Sequence, residues 1–535
     1  MEYPLPHLCN MCHAMMLKIG IAAFMSIMAN HVFAKNAPEG GLSYTIETEK
    51  PEQTILHFGA SDAWSMQFVG LWPEKTQRQI ADWLFSLDTD KKGQPLGIGL
   101  SIWRFNLGAG SREQGDSSEI NYTTRTECFM QHDGSYDWNK QVGQRRFLQL
   151  AKERGVTHFL AFMNSLPVYF TDNGLATNNR RRRNMNIRND AYGKAASFAA
   201  NVMKGVEQHD GIHFDYFCPV NEPEWEWQGP KQEGSPATNQ EVAKLAQAIG
   251  KAFEANEIST KIMVNESADM RFLLGTHGDG IKRGNNIACF FNPKNTDTYI
   301  GNVANVPKTI VGHSYWSNTP VDTMRAVRKA LREKCRQYGI SFWQTETCIM
   351  SNDDEIGGGP HFDTTMKTAL YVARIIHNDL VFANAESWSW WRAVGGDYKD
   401  GLIRVFTDER WTDGEAVDSK LLWSMGNFSR FIRPGAVRHD ITAYDAKGNI
   451  IEDGDTDQYG ILCSAYRNKD GRWVVVAINY SEEERPFCFE LSNKGKRRWH
   501  HYRTSDKEGE NLLPLKTAKG EVTLAARSVN TFVSY

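Results

Sequence analysis

The sequence predicts an α/β protein, a (β/α)8 TIM barrel with an attached all-β sandwich domain. Eight short apolar runs alternate with amphipathic helical segments over residues 57–424, a pattern typical of parallel strands covered by helices. From residue 425 onward, apolar and polar residues alternate between turn signals, as they do in antiparallel strands. At 535 residues, the chain is long enough for a large barrel and a smaller domain.

The N-terminus has the features of an export signal. Lys18 precedes the apolar stretch IGIAAFMSIMANHVFA, and VFA (32–34) is a small-x-small cleavage site. We therefore predict a signal peptide over residues 1–34 and a secreted or periplasmic mature protein. Residues 1–15 do not fit such a signal, and translation from a later methionine would remove them. The apolar stretch is too short for a spanning helix, so we expect no transmembrane segment.

The first strand follows the signal. LSYTIETE (42–49) alternates like a half-buried strand, and the C-terminal segments alternate in the same way. We therefore expect residues 35–56 to supply an N-terminal strand to the sandwich, which is completed by residues 425–535. The catalytic barrel would occupy residues 57–424 between them.

Eight apolar runs favour a closed barrel over an open sheet. The runs are TILHFGA (54–60), GIGLSIWRFN (97–106), THFLAFMN (157–164), FDYFCPVN (214–221), KIMVNE (261–266), KTIVGHSYW (308–316), ISFWQTE (340–346) and FANAESWSWW (382–391). Helical segments between them include residues 76–87, 138–155, 239–257 and 321–339. Long segments follow the second and third runs, at the face where such barrels build their sites.

Composition excludes several classes of partner. A net charge of −3 gives no general attraction to nucleic acid or to anionic membranes. No motif for a metal or cofactor site is present, so we expect neither, and a monomer is the expected state.

The 16 tryptophans cluster in WEW (225–227) and WSWW (388–391), and indole rings suit stacking against sugar rings. Seven cysteines lie beyond the signal, and we expect mostly buried thiols with at most one or two disulfides.

Polar residues at the ends of the eight runs are the candidates for chemistry, because the strand ends of such a barrel meet at one face. These candidates are Asp62, Arg104, Asn106, Asn164, Asn221, Glu222, Glu266, His313, Tyr315, Glu346, Glu386 and Trp391. Glu222 ends the fourth run and Glu346 ends the seventh, so their carboxyl groups should face each other across the barrel mouth. A protonated acid opposite an ionised carboxylate is what cleavage of a glycosidic bond requires.

The neighbours of these two acids support this interpretation. Asn221 precedes Glu222 and could hydrogen-bond a sugar 2-hydroxyl, a contact that strengthens in the transition state. His313 and Tyr315 lie two residues apart on the sixth strand and point to the same face. A tyrosine there could orient a nucleophilic carboxylate.

Several motifs together resemble glycoside hydrolase family 30. These motifs are FGASDAW (58–64), WRFNLG (103–108), MNSLPVYFTDNG (163–174), CPVNEPEW (218–225), GHSYWS (312–317), WQTETC (343–348) and WSWWRAV with DYKDGLI (388–403). The resemblance implies a retaining mechanism with Glu222 as acid/base and Glu346 as nucleophile. It also implies a sugar pocket lined by Asp62, Arg104, Asn221, His313, Tyr315 and Trp391, to which we add Trp64, Asn106 and Asn164.

Within this family, WSWW followed by DYKDGLI resembles most the branch that cleaves β-1,6-galactan, including the side chains of arabinogalactan. The expected partner is therefore a polysaccharide or oligosaccharide substrate. Other branches act on β-1,6-glucan, glucuronoxylan or glucosylceramide-like β-glucosides, and these stay open. A non-catalytic carbohydrate-binding protein is an alternative of another class. The basic run Arg180–Arg183 is either a solvated loop or a subsite for a uronic acid.

Overall fold

The computed structural model describes residues 42–179, 184–277, 282–350, 353–493 and 497–535. Two of the sequence predictions lie outside these ranges. They are the signal peptide over residues 1–34 and the role of the basic run Arg180–Arg183.

Two sheets organise the described part of the chain. Strand β1 (Ser43–Ile55) belongs to the second sheet, and the next nine strands form the wall of a barrel. These strands are β2 (His57–Ser61), β3 (Ile102–Asn106), β4 (His158–Phe162), β5 (Tyr216–Cys218), β6 (Lys261–Ile262), β7 (Val264–Ser267), β8 (Thr309–His313), β9 (Ser341–Glu346) and β10 (Ala385–Gly395).

The barrel is closed, as the sequence predicted. Neighbouring strands are parallel in register around the ring. β6 pairs with β5, and β7 pairs with β8, so β6 and β7 together form the fifth barrel strand, interrupted only at Met263. The ring therefore has eight strand positions, which correspond to the eight apolar runs. Buried side chains on every strand fill its interior and the layer beneath the helices.

Helices connect and cover these strands. The structure has α1 (Met66–Val69), α2 (Glu74–Phe85), α3 (Ser111–Gln114), α4 (Val142–Glu153), α5 (Tyr192–Asp210), α6 (Asn239–Ala255), α7 (Met270–Leu274), α8 (Asn286–Phe291), α9 (Val321–Tyr338), α10 (Met366–Val381) and α11 (Lys420–Ser429), with 3-10 turns at Gly115–Ser118, Tyr122–Thr124 and Asp354–Ile356. Local signals set their ends. Thr238 and Glu241 form a capping box before α6, and Gly339, with φ of 63°, ends α9.

The second sheet contains ten strands. The strands β11 (Gly401–Thr407) and β12 (Gly414–Val417) form a hairpin that extends β10 and belongs to the barrel sheet. Besides β1, the strands of the second sheet are β13 (Ala436–Tyr444), β14 (Ile450–Ile451), β15 (Ile461–Arg467), β16 (Trp473–Asn479), β17 (Arg485–Leu491), β18 (Trp499–Ser505), β19 (Leu513–Ala518), β20 (Glu521–Leu524) and β21 (Ser528–Ser534). β1 lies between β13, to which it is antiparallel, and β17, to which it is parallel.

This sheet folds over on itself into a sandwich. β17 and β21 are separated by four strands in the pairing order, yet the rings of Phe487 and Phe532 lie 5.8 Å apart. Tyr44 of β1 packs at 5.1 Å against Phe487 in the same core. The opposite side of the sandwich shares the main core with the barrel, through residues such as Val474 and Val529. The two domains are therefore packed closely together.

The cysteines and the helices can be compared with two of the sequence predictions. All seven cysteines within the described residues are free thiols, and five of them are buried. In the same part of the chain, no helix combines the length and the apolar character that crossing a membrane would require.

Candidate active site

The ends of the barrel strands bring Glu222 and Glu346 together. Glu346 is the last residue of β9, and Glu222 follows β5 by four residues. One carboxylate oxygen of each lies within 4.8 Å of the other and of a ring nitrogen of His313, and all three residues are buried. Two acidic groups on opposite sides of the barrel mouth therefore reach the same small volume.

Both oxygens of the Glu346 carboxylate have partners. Arg104 Nη1 lies 2.6 Å from Oε2, and the Tyr315 hydroxyl donates to Oε1 at 2.9 Å. The Arg104 guanidinium itself stacks 3.6 Å from the centroid of the Phe162 ring and donates from Nη2 to Asn221 Oδ1 at 3.2 Å. A cation and a hydroxyl thus fix the orientation of this carboxylate.

Glu222 has a different environment. Its side chain is buried, and Oε1 lies 2.9 Å from His313 Nδ1. Burial raises the pKa of Glu222; the hydrogen bond and charge of His313 oppose this shift, and the negative charge of Glu346 adds to it. The backbone at Glu222 has φ of 44°, a conformation that its N–H···O bond to Glu266 at 2.8 Å helps to hold.

Glu266 is a third carboxylate in this cluster, at the fifth barrel strand. It is fully buried, with Oε2 2.8 Å from His313 Nε2 and Oε1 3.5 Å from Arg104 Nη2. The hydroxyl of Thr345 also donates to it. Burial opposes ionisation, but the charge of Arg104 and the hydrogen bond from His313 lower the pKa of Glu266 to about 2. The sequence marked Glu266 only as a strand-end candidate, because its partners come from distant strands.

The charges of the cluster balance only when one carboxyl group is protonated. Burial alone would lower the pKa of His313. The negative charge of Glu346 and the hydrogen bonds to Glu222 and Glu266 outweigh this effect and raise that pKa to about 10. The cluster thus contains two cations, His313 and Arg104, against three carboxyl groups. Among these, Glu222 has the raised pKa and Glu266 the lowered one. A proton on Glu222 would satisfy this balance, which makes Glu222 the candidate acid.

This charge distribution does not suit a metal ion. Glu222, His313 and Glu346 are the one set of three potential ligands found within the described ranges. With a pKa of about 10, His313 carries protons on both ring nitrogens at neutral pH, and these face Glu222 and Glu266. It therefore offers no lone pair to a cation.

Aromatic side chains form one wall beside the acids. The Trp391 ring lies 5.7 Å from the Arg104 guanidinium and meets the edge of Trp64 at 5.3 Å. Beyond Trp64 lies a cavity of about 220 Å³, lined by β10 and by the segments after barrel strands one, two and eight. A second cavity of about 150 Å³ borders Tyr315 and the segments after strands six and seven. Open space thus borders Tyr315, which bonds to Glu346, and Trp64, which packs against Trp391.

Three predicted substrate-binding residues lie in a buried network of their own. The Asp62 carboxylate accepts from the backbone N–H of Asn106 at 2.7 Å and from Gln144 at 3.0 Å, and Asn164 donates to the Asn106 side chain at 3.2 Å. Burial raises the pKa of Asp62 to about 7, against the effect of these hydrogen bonds. This network joins the ends of the first three barrel strands, and contact with substrate stays a prediction for its members.

Glu386 lies at the wrong end of its strand for the site. The run 382–391 suggested that it ends the last barrel strand, but β10 begins at Ala385 and continues to Gly395. Glu386 is therefore at the N-terminal end of the barrel, where its carboxylate accepts from Trp343 Nε1 at 3.3 Å.

Known families and structures match both domains. A model of O-glycosyl hydrolase family 30 matches residues 42–404, and a model of the glycosyl hydrolase family 30 β-sandwich domain matches residues 435–532. A solved structure of a conserved exported protein from Bacteroides fragilis is 32% identical, with a TM-score of 0.84 over 92% of this chain and 100% of its own. The catalytic domain of a family 30 xylanase C from Talaromyces cellulolyticus shares the fold at 20% identity, with a TM-score of 0.65 over 92% of this chain and 100% of its own.

Curated relatives match over shorter regions. An endo-β-1,6-galactanase from Hypocrea rufa is 28% identical over 223 residues, which are 38% of this chain and 44% of the relative. Glucuronoxylanase XynC from Bacillus subtilis (strain 168) is 28% identical over 206 residues, 37% of this chain and 41% of the relative. The chain thus spans about two fifths of the length of these relatives. The family models, in contrast, cover most of the barrel and the sandwich, and on this evidence the chain belongs to glycoside hydrolase family 30.

Proposed function

We propose that the protein is a retaining glycoside hydrolase that acts by double displacement, with Glu346 as nucleophile and Glu222 as acid/base. The observation that carries this proposal is the close approach of the two carboxyl groups, within 4.8 Å at their nearest oxygens. Retaining enzymes hold their carboxyl groups about 5–5.5 Å apart, whereas inverting enzymes leave room for a water molecule between them. Their unequal environments support the division of roles.

In the first step, Glu222 donates its proton to the glycosidic oxygen as the bond to the leaving sugar breaks. Glu346 attacks the anomeric carbon from the opposite side and forms a covalent glycosyl ester. Arg104 and Tyr315, which hold the two oxygens of Glu346, aim the attacking oxygen. In the second step, Glu222, now ionised, takes a proton from water, which attacks the same carbon and releases Glu346.

Other residues would bind the sugar at the acid pair. Asn221 is positioned by Arg104 next to Glu222, where its amide could donate to the sugar 2-hydroxyl. Trp391 offers an aromatic face to the apolar side of the ring, and Trp64 packs against it. Asp62, Asn106 and Asn164 complete the proposed pocket through the polar network described above.

We propose β-1,6-galactan, including arabinogalactan side chains, as the substrate. The WSWW and DYKDGLI segments and the similarity to an endo-β-1,6-galactanase support this choice. The cavities beside Tyr315 and beside Trp64 offer room for further sugar units, which favours attack within a chain over removal of terminal sugars. A purely carbohydrate-binding role is disfavoured, because binding alone gains nothing from two close carboxyl groups with opposite protonation.

The same proposal covers localisation and organisation. A signal peptide over residues 1–34 would direct the protein to the periplasm or the outside of the cell, and the similar Bacteroides fragilis protein is described as exported. We propose that a monomer is the functional unit. Its catalytic barrel would comprise residues 57–424, with the sandwich formed by residues 35–56 and 425–535.

Two variants and three polysaccharides test the proposal. Glu346→Gln should abolish hydrolysis. Glu222→Ala should keep glycosylation by an activated aryl β-galactoside but slow deglycosylation, and azide should restore turnover by replacing the base-activated water. Chromatography of products from β-1,6-galactan, β-1,6-glucan and glucuronoxylan identifies the substrate. Full activity of Glu346→Gln would refute the mechanism, whereas hydrolysis of one of the other two polysaccharides alone would refute only the substrate.

A further inference from the structure

The segment that follows Glu346, of which the structure describes residues 347–350 and 353–358, has one end beside the acid pair and the other beside the sandwich. It begins beside the nucleophile, where Cys348 and Met350 line the 150 Å³ cavity next to Tyr315. The Tyr315 hydroxyl lies 3.7 Å from Cys348 Sγ in addition to its bond to Glu346. The position of this segment therefore sets one wall of the cavity.

Hydrogen bonds fix the far end of the segment. Asp353, which also lines the cavity, accepts from the Tyr371 hydroxyl of α10 at 2.7 Å. Its backbone oxygen accepts from the Gly358 N–H at 2.7 Å, which closes a tight turn. Within that turn, Glu355 accepts from the hydroxyl of Tyr480 at 2.8 Å. Tyr480 follows β16 directly, so this bond crosses from the barrel to the sandwich.

The partner of Glu355 on the barrel is Arg374 of α10. The two form an ion pair in which the Arg374 side chain is fully buried and that of Glu355 is 25% exposed. The Arg374 guanidinium lies 4.6 Å from the ring centroid of Tyr480 and 5.3 Å from that of Tyr459, both in the sandwich. A buried ion pair depends strongly on its remaining hydrogen bonds, so the Tyr480 hydroxyl helps to fix where Glu355 lies.

The surrounding interface is already held by other contacts. Asn378 of α10 and Gln458 of the sandwich exchange two amide hydrogen bonds of 3.0 and 2.9 Å, and His377 bonds to Thr456 at 2.6 Å. Docking of the domains thus does not depend on Tyr480 alone. Its hydroxyl is directed at the segment that lines the cavity.

We propose that Tyr480 is a positioning residue through which the β-sandwich sets the shape of the cavity beside the nucleophile, and that this cavity takes the sugar unit next to the one at the acid pair. The inference rests on the proposed function, since it assigns a sugar to the cavity. It gives the sandwich a part in substrate selection: none of the described residues that line this cavity belongs to the sandwich, but the sandwich orders the wall that they form.

The test compares Tyr480→Phe with Tyr459→Phe. The first variant keeps the ring over Arg374 and removes only the hydroxyl that binds Glu355. The second removes the hydroxyl of the other ring over Arg374, in a residue that is 58% exposed. Each variant is assayed on β-1,6-galactotetraose, which would fill the cavity, and on 4-nitrophenyl β-galactoside, which occupies only the acid pair. Hydrogen–deuterium exchange of residues 353–358 is measured in parallel.

For Tyr480→Phe, we expect a rise in KM for the tetrasaccharide of about tenfold, the effect of one hydrogen bond to a charged group, with kcat little changed. Activity on the aryl galactoside should stay within about twofold, and amide exchange in residues 353–358 should increase. Tyr459→Phe should alter none of these. Equal losses on both substrates, or unchanged exchange, would overturn the inference. If the wild type cleaves neither substrate, the proposed function fails, and the exchange measurement alone decides whether Tyr480 orders the segment.

Discussion

Replacement of Glu266 by glutamine tests the charge balance of the cluster. Glu266 is fully buried and bonds to His313 and Arg104, and we assign it no contact with substrate. Glu266→Gln keeps the shape of the side chain but removes its charge. Both cations then lose a buried counter-ion, so the variant should be less stable than the wild type at neutral pH.

The pKa of Glu266 supplies the magnitude. It is lowered from 4.5 to about 2, and each unit corresponds to about 1.4 kcal/mol, so its ionisation contributes about 3 kcal/mol to the free energy of unfolding at pH 7. Because the folded-state pKa is the lower one, this contribution is present above pH 4.5 and is lost as the pH falls towards 2. At pH 3.5 it should already be about 1 kcal/mol smaller.

Denaturant unfolding of wild type and variant at pH 7 and pH 3.5 measures this difference. Glu224→Gln is a matched control, because Glu224 is also buried in the site region but burial raises its pKa to about 8. Its carboxyl group is mostly protonated at both pH values. Glu224→Gln should therefore not lower the free energy of unfolding more at pH 7 than at pH 3.5. If Glu266→Gln lowers the free energy of unfolding by the same amount at both pH values, the charge-balance argument is refuted.

Two further predictions concern catalysis. Tyr315→Phe removes the 2.9 Å hydrogen bond to Glu346, and a bond to a charged acceptor is worth about 1.5–3 kcal/mol. Steady-state kinetics should therefore show kcat/KM lowered by about 10- to 150-fold, and an unchanged value would show that Tyr315 does not orient the nucleophile. The raised pKa of Glu222 keeps the acid protonated to higher pH than a free glutamate. The wild-type pH profile should fall on its alkaline side as Glu222 loses its proton, and Glu222→Ala should lack that limb on an activated substrate.

The barrel could be predicted from the sequence because each strand is a local apolar run. The run KIMVNE, for example, became β6 and β7 with only Met263 between them. The position of Glu386 was predicted wrongly, since apolarity alone does not show where a strand starts. The run 382–391 begins three residues before β10 and ends four residues before it does.

The acid pair was visible in the sequence for a similar reason. Glu346 ends β9 and Glu222 follows β5 by four residues, and a parallel barrel must bring the ends of both strands to the same face. The role of Glu266 was not visible, because it depends on Arg104 from the second strand and His313 from the sixth. The bond between Tyr480 and Glu355 was equally hidden, since it joins two domains across 125 residues of chain.

The place of β1 in the sandwich has a consequence for biosynthesis. This strand leaves the ribosome before the whole barrel, whereas β13 and β17, the neighbours that flank it, are translated after the barrel is complete. Until then the backbone N–H and C=O groups on both edges of β1 have no partner strand, and such edges can pair with strands of other chains. Truncation between the barrel and β13 would make that state permanent, so a fragment that keeps β1 but ends before β13 should associate with other chains more readily than the full-length protein.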